Sequence, residues 1–364
     1  MPKLVLNIGA VPNVVAGRDT SCTSGGGNAQ CWGLNDFGQV GNGSASPVVP
    51  TLLPESVLGL SVGVAQVEIG RRHTCARMNS GAAKCWGYGV DGRLGTLPAN
   101  TNQVVATDVQ GLASGVDEIA AAEFSTCARL GGALKCWGRG TEGQIGDGAF
   151  TNVSAPANVS GISTAVELAA GSAHMCARLA DGTAKCWGAG TSGQLGNNAN
   201  TDQSTPVNAF GLLNLEQITA GKGNHTCTRS GGLVKCWGRN DFGQLGDGSN
   251  ADRILPTNVP SLTNVYRVAA GRHHTCALGA GGATVLCWGR NDFGQLGDGT
   301  NIHRKSPVIV PGLTDILQLA LGDTHTCALK GTGEIFCWGN KGEGQLGRNE
   351  AGYKLAPETV LAFP

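Results

Sequence analysis

Fourteen cysteines fall into seven close pairs: Cys22 with Cys31, Cys75 with Cys85, Cys127 with Cys136, Cys176 with Cys186, Cys227 with Cys236, Cys276 with Cys287, and Cys327 with Cys337. Paired thiols can ligate a metal or oxidise to a disulfide. A structural zinc site wants close ligand pairs such as C-x2-C, and the chain has none. Gly231-Gly232 lies midway between Cys227 and Cys236. Gly-Gly signals a two-residue hairpin, whose central positions both need positive φ. Counting outward from that turn, Ser230 faces Leu233, Arg229 faces Val234 and Thr228 faces Lys235. Cys227 then faces Cys236 in a non-hydrogen-bonded pair, with Cα atoms roughly 4.5 Å apart, a separation a disulfide accepts. Gly26-Gly27 centres Cys22 and Cys31 in the same way, and Gly131-Gly132 centres Cys127 and Cys136. Asn79-Ser80-Gly81, Ala180-Asp181-Gly182 and Gly331-Thr332-Gly333 are three-residue loops ending in glycine, the usual bulged hairpins. Cys276 and Cys287 flank the longer Ala280-Gly281-Gly282-Ala283. All fourteen thiols are therefore expected in seven local disulfides.

Histidine stands two before the first cysteine in five repeats: His73, His174, His225, His274 and His325. Thr20 and Ser125 take its place in the other two. Successive copies lie one repeat apart, ~10 Å or more between packed sheets, against a Zn–N bond of ~2.0–2.1 Å. A structural hydrogen bond at a strand start is expected, with no metal. Asp247, Asn250 and Asp252, like Asn197, Asn198 and Asp202, are oxygen-rich in the manner of calcium loops, and read as solvated turns. Asn-Asp-Phe-Gly recurs at Asn35, Asp36, Phe37; at Asn240, Asp241, Phe242; and at Asn291, Asp292, Phe293. With Arg239 and Arg290 beside them, these loops form a candidate binding arc, since aromatics and arginines anchor interfaces. The phenylalanines are also expected to pack between repeats. No serine sits in a nucleophile elbow, no thiol is left over, and no glycine loop precedes a helix to cradle phosphate. No catalytic residue and no cofactor are expected.

The elements that position these residues repeat seven times. Trp32, Trp86, Trp137, Trp187, Trp237, Trp288 and Trp338 are spaced by 54, 51, 50, 50, 51 and 50 residues, a period that marks a repeat architecture. Each unit reads as four short strands. The first is an inner strand of small residues such as Gln217 to Gly221, and the two cysteine strands follow. The last is an outer strand entered by proline, which an edge position tolerates. Glycine follows every tryptophan and recurs six and nine residues after it, as in Gly238, Gly243 and Gly246. The branched residue before the last of these (Val40, Leu94, Ile145, Leu195, Leu245, Leu296 or Leu346) is expected to plug the core. The fold class is all-β, a seven-bladed β-propeller of four-stranded antiparallel blades. It forms a single domain over 1–364, with units near 12–62, 63–113, 114–162, 163–212, 213–262, 263–313 and 314–364. Residues 1–11 read as a closure strand. PKLVL at 2–6 and PETVL at 357–361 both suit the outer edge of the seventh blade. The expectation is that 2–6 pairs there, as its fourth strand or as a fifth beyond 357–361.

Lys+Arg and Asp+Glu are 26 each, and no basic run exceeds two residues. A nucleic-acid binder shows a basic surplus or stripe, so nucleic acid is not an expected partner. No stretch reaches the ~20 apolar residues of a membrane span; the longest candidate, Val57 to Val67, is too short. Seven disulfides imply an oxidising compartment, whether periplasm, cell surface or medium. MPKLVLNIGAV carries no secretory signal. The chain is read as one whose signal was removed, or as a piece of a longer exported protein, and as a monomer or module of a larger surface protein.

AAGRHHTCAL at 269–278 and CWGRNDFGQLGDG at 236–248 and 287–299 resemble the signatures of the regulator of chromosome condensation repeat. The resemblance runs over nearly the whole chain. It implies a seven-bladed propeller, commonly a protein-binding platform, whose best-known member promotes nucleotide exchange on a small nuclear GTPase and docks on chromatin. An exported bacterial relative caps β-lactamase with one propeller face. Here cysteines replace an aliphatic residue after His-Thr and a Ser/Thr before Trp-Gly, and no basic tail or GTPase-engaging insertion is present. The expected function is that of an exported, disulfide-stapled scaffold binding a protein or surface glycan through one face. The alternatives are a guanine-nucleotide exchange factor and an enzyme whose site is assembled from several blades.

Overall fold

The computed structural model describes residues 13–25, 27–60, 63–347 and 353–359. Among these residues, twenty-eight strands form seven four-stranded antiparallel sheets, each from four consecutive strands. The fifth blade is typical: Gln217–Ala220, His225–Ser230, Leu233–Gly238 and Arg253–Asn258. Its hairpin has the expected register, with Ser230 opposite Leu233 and Cys227 opposite Cys236. Gly231 and Gly232 both have positive φ, 55° and 77°. In every blade the two cysteines face each other and are disulfide-bonded. Cys22 is bonded to Cys31, Cys75 to Cys85, Cys127 to Cys136 and Cys176 to Cys186. Cys227 is bonded to Cys236, Cys276 to Cys287 and Cys327 to Cys337. The paired Cα atoms are 4.0–4.1 Å apart, somewhat closer than the separation expected of a non-hydrogen-bonded pair. The described residues include no free cysteine.

The core lies between blades. Val234, Leu245 and Val259 of blade five pack with Val268, Ala277 and Trp288 of blade six in one apolar cluster. Val14, Ala16 and Trp32 of blade one pack with Ala320, Leu329 and Leu346 of blade seven in another. Each sheet buries its faces against its neighbours. Val40, Leu94, Ile145, Leu195, Leu245, Leu296 and Leu346 are fully buried plugs at these seams. Six of the seven indoles also donate back one blade, as Trp288 Nε1 does to the Gln244 carbonyl at 2.9 Å and Trp32 Nε1 to the Gln345 carbonyl at 3.0 Å; Trp137, facing Arg93 in place of that glutamine, does not. This contact explains the glycine nine residues after each tryptophan. Gly246 has φ +73°, and a Cβ there would lie 2.6 Å from Trp288 Nε1.

Polar residues on the inner strands tie the blades around the axis. The Gln66 side chain accepts from Ile119 N and donates to Ile119 O; Gln217 does the same to Val268, and Gln318 to Val14. Each amide mimics a missing peptide group, so buried backbone groups stay paired. The last of these bonds closes the ring, joining blade seven to blade one. The fourth position of the seventh blade is taken by Tyr353–Thr359, with Phe336 opposite Thr359. This corrects the placement of residues 2–6 as that fourth strand, because the local segment follows its own hairpin at low closure cost. Residues 2–6 themselves, and the whole 1–11 closure segment, lie outside the described residues.

Candidate binding face and axial channel

The turn after each inner strand and the long loop after each tryptophan strand lie at the same end of the propeller. Backbone bonds join them, as from Arg239 N to Asn224 O at 2.8 Å and from Arg290 N to His273 O at 2.8 Å. The Asn-Asp-Phe-Gly loops are on this face, but their asparagines point inward. Asn240 and Asn291 are fully buried and Asn35 nearly so. Asn240 Nδ2 donates to Asp247 Oδ1 and to the carbonyls of Ser249 and Ala251, while its Oδ1 accepts from Leu245 N at 2.9 Å. These side chains staple the loops from within, and only Asp36, Phe37, Asp241, Phe242, Asp292 and Phe293 reach the surface.

Phe37 and Phe242 reach into the following blade. Phe242 packs against His273 and His303, both at 5.2 Å, with the Arg290 guanidinium 5.1 Å from its centroid. Phe37 lies 4.2 Å from Tyr88 and 4.8 Å from the Arg72 guanidinium. Phe293 keeps the looser contact, 6.0 Å from Arg290. Arg239 and Arg290 pair with Asp241 and Asp292 of their own loops. A second patch escaped the sequence reading. Arg93 stacks on Tyr88 at 4.9 Å and on Phe124 at 5.3 Å, and Arg139 and Arg71 also face Phe124. Two arginine–aromatic patches thus share the face, one over blades one to three and one over blades five and six.

The metal candidates make structural contacts and do not converge. Each of the five histidines is buried and contacts the next blade: His73 with Thr126, His174 with Thr226, His225 with Thr275, His274 with Thr326, His325 with Ser21, all at 2.9–3.0 Å. Burial holds every one of these imidazoles well below its ordinary pKa, at about 3 for His174 and His225 and about 4 for His325. In the oxygen-rich loop of blade five, Asp247 accepts from Ser249 and from Arg253, and Asp252 accepts from Asn240 N at 2.7 Å. Asp202 caps Gly190 N likewise. No group of three or more His, Cys, Asp or Glu suited to a metal occurs among the described residues.

At the axis, the residue after each inner-strand glycine or alanine forms a ring not recognised from sequence: Arg18, Arg71, Glu123, Ser172, Lys222, Arg272 and Asp323. It becomes a ring only when blades fifty residues apart come together. Backbone bonds run around part of it, from Glu123 N to Ser172 O and from Ser172 N to Gly223 O. The Arg272 guanidinium contacts Asp323 at 2.7 Å and reaches across to Glu123 at 3.3 Å. Lys222 Nζ crosses from blade five to the Ala121 carbonyl of blade three at 2.6 Å. Burial, then the nearby Asp323, raises the Asp19 carboxyl to about 6. Beneath the ring runs a channel of about 220 Å³, lined by Val14, Glu68, Glu118, Leu168, Ile218 and Lys222 among others. Glu118 accepts from Leu168 N and from Arg129, so it clamps blades together where it lines the channel.

Residues 101–362 match the RCC1-like domain, and residues 27–77 and 64–93 match the regulator of chromosome condensation (RCC1) repeat. Human E3 ubiquitin-protein ligase HERC2 is 33% identical over 150 residues, which are 38% of this chain and 3% of that protein. The structure of yeast RCC1 (Prp20) bound to Kap60 superimposes with a TM-score of 0.81 at 21% identity, covering 96% of this chain and 84% of that one. Human WBSCR16 superimposes with a TM-score of 0.80 at 19% identity, over 92% and 94% of the two chains. At that identity the two structures share the fold with this chain.

Proposed function

We infer a role from one premise: the chain belongs to the RCC1-like family of repeat propellers. The role is that of a non-enzymatic scaffold in an oxidising compartment, outside the cell or in a periplasm, which binds a protein partner through the face carrying the long loops. The observation that carries it is the pair of arginine–aromatic patches on that face, set in a ring whose seven blades are each disulfide-bonded. Half-buried aromatics and arginines held rigid lose little entropy when a partner docks. A disulfide in every blade suits an oxidising environment, and no helix among the described residues is long and apolar enough to cross a membrane. A neighbouring structure, yeast Prp20p, is described with its binding properties to Gsp1p and histones; those partners are that protein's own.

The test is capture with the oxidised protein from its native medium, followed by affinity measurement with the captured protein. Alanine at Phe242, Phe293, Arg239 and Arg290 should weaken binding while the ring stays folded. Normal binding by these variants, and by a second set at Phe37, Tyr88, Arg93 and Phe124, would move the site off this face. Capture that depends on glycan alone would replace a protein partner with a surface glycan.

A further inference from the structure

Lys222 and Glu68 share the axial channel without touching. Both line the same cavity of about 220 Å³, yet among the described residues no nitrogen–oxygen contact within 4.0 Å joins them. Lys222 Nζ donates one hydrogen bond, to the Ala121 carbonyl. An ammonium has three donors, so two remain. Glu68 Oε1 accepts from Gln66 Nε2 at 3.3 Å, which leaves most of the carboxylate's acceptor capacity unused. Glu118 and Thr219 also line it, and Glu118 is already held by Arg129 and Leu168 N. Val14, Ala120, Leu168, Ile218, Ala270 and Leu319 are apolar, and the amides of Gln66 and Gln318 are bound to the neighbouring blades.

We propose that this channel binds a small zwitterion of the free α-amino acid class, its ammonium on Glu68 and its carboxylate on Lys222. One positive and one negative group, neither ion-paired within 4.0 Å, stand apart in a single cavity. A ligand bearing both charges satisfies both. An anion alone would face Glu68, and a cation alone would face Lys222; each would leave a like charge desolvated nearby. Burial pushes Lys222 down and Glu68 up, and each is partly restored by the other. The volume holds about seven waters at ~30 Å³ each, a size that suits a small amino acid. At the long-loop end, Lys222 and Arg272 cross the axis to blade three, so the ligand enters from the hairpin end. The site is separate from the protein-binding face and does not depend on it.

Titration calorimetry of the intact oxidised protein with glycine and with L-alanine tests the assignment, with acetate and methylammonium as half-ligands. Saturable one-to-one binding is expected for the amino acids, weakened about tenfold or more for either half-ligand. Lys222→Met and Glu68→Gln should each weaken binding by about tenfold or more, with an unchanged circular dichroism spectrum. Should Lys222→Met fail to fold, the near-isosteric Glu68→Gln and the half-ligands carry the test. No binding of glycine or alanine at millimolar concentration would overturn the proposal. So would acetate binding as tightly as glycine, which marks a plain anion site, or undiminished binding by folded variants.

Discussion

His274 of the sixth blade meets Thr326 of the seventh, Nε2 to Oγ1, at 2.9 Å. The Thr326 hydroxyl donates onward to the Gln295 carbonyl at 2.8 Å. Its proton is thus committed, so the imidazole is the donor and carries its hydrogen on Nε2. Nδ1 is left buried with no hydrogen-bond partner. Four other seams repeat this relay. The seams after Thr20 and Ser125 lack the histidine, and at the latter Met175 also stands where the acceptor threonine would be.

Five imidazoles held neutral make the ring acid-sensitive. Their folded pKa values lie below the unfolded value of about 6.5, so the unfolded chain binds more protons as pH falls through that value. Stability is complete above about pH 6.5 and is lost progressively toward pH 4, by at most ~1.4 kcal/mol per pH unit for each histidine. Asp19, raised to about 6, opposes them below that value, and burial raises Glu68, Glu118, Glu123 and Glu167 in the same sense. Melting temperature should fall between about pH 7 and about 5.5; a flat or rising profile would contradict the relay.

Thr326→Val removes the acceptor from His274 and the donor from Gln295 while keeping the volume. Two buried polar groups then lose a partner, at a cost of about 1–3 kcal/mol or more. Denaturant unfolding measures it. Equal stability of the variant and the parent would show that the relay is geometric coincidence.

Gly246→Ala places a methyl group 2.6 Å from Trp288 Nε1 at φ +73°, whereas Gly111, at φ +67°, has nothing within 4 Å of a built Cβ. Alanine at 111 should cost only the left-handed backbone, about 1–2 kcal/mol. Alanine at 246 should cost clearly more, and should shift tryptophan fluorescence as the seam opens. Similar losses for the two would refute the packing explanation of the glycine.

Reduction should lower the melting temperature clearly. Closing a loop of roughly ten residues is worth ~2.7 kcal/mol by the chain-entropy treatment, and hairpins that are already partly ordered give less. On unfolded, unreduced protein, alkylation followed by intact-mass measurement should find essentially no labelled thiol. Several labels would break the assignment of all fourteen cysteines to disulfides.

The protein should neither accelerate nucleotide release from a small GTPase nor bind duplex DNA tightly at physiological salt. Net charge is zero, and the arginines of the loop face are largely matched by Asp36, Asp91, Glu142, Asp241 and Asp292. Phosphate-backbone affinity needs uncompensated cations. Salt-sensitive DNA binding in a filter or anisotropy assay would refute this.

What repeats locally was legible in the chain. The Cys227–Cys236 register followed from counting outward from Gly231-Gly232, and the same count paired Cys22 with Cys31 and Cys127 with Cys136. The longer turns still left Cys85, Cys186, Cys287 and Cys337 opposite their partners, because each extra residue is absorbed in the turn and not in the strands. Leu245 was recognisable as a plug from its place before Gly246. Residues whose partners lie a blade away were not legible. His274 could be assigned a hydrogen bond but not Thr326 as its partner, fifty-two positions on. Asn240 looked like surface because its loop is polar, but the loop's own carbonyls turn it inward. Arg18, Glu123, Lys222 and Arg272 share a position after the inner strand, yet their types differ, and only ring closure places them side by side.

Each sheet and each disulfide is completed by one contiguous stretch of about fifty residues. A growing chain can therefore finish and oxidise one blade before the next has emerged, with every covalent crosslink spanning eleven residues or fewer. A thiol oxidised early meets its own hairpin partner first, and loops this short close fast. Mispaired intermediates are thereby kept few despite fourteen thiols. The contacts of blade one with blade seven, among them Val14 with Gln318, Ser21 with His325 and Trp32 with Gln345, must await the far end of the array. Assembly of this ring is thus a sequence of short local steps followed by a single late docking of the last blade against the first.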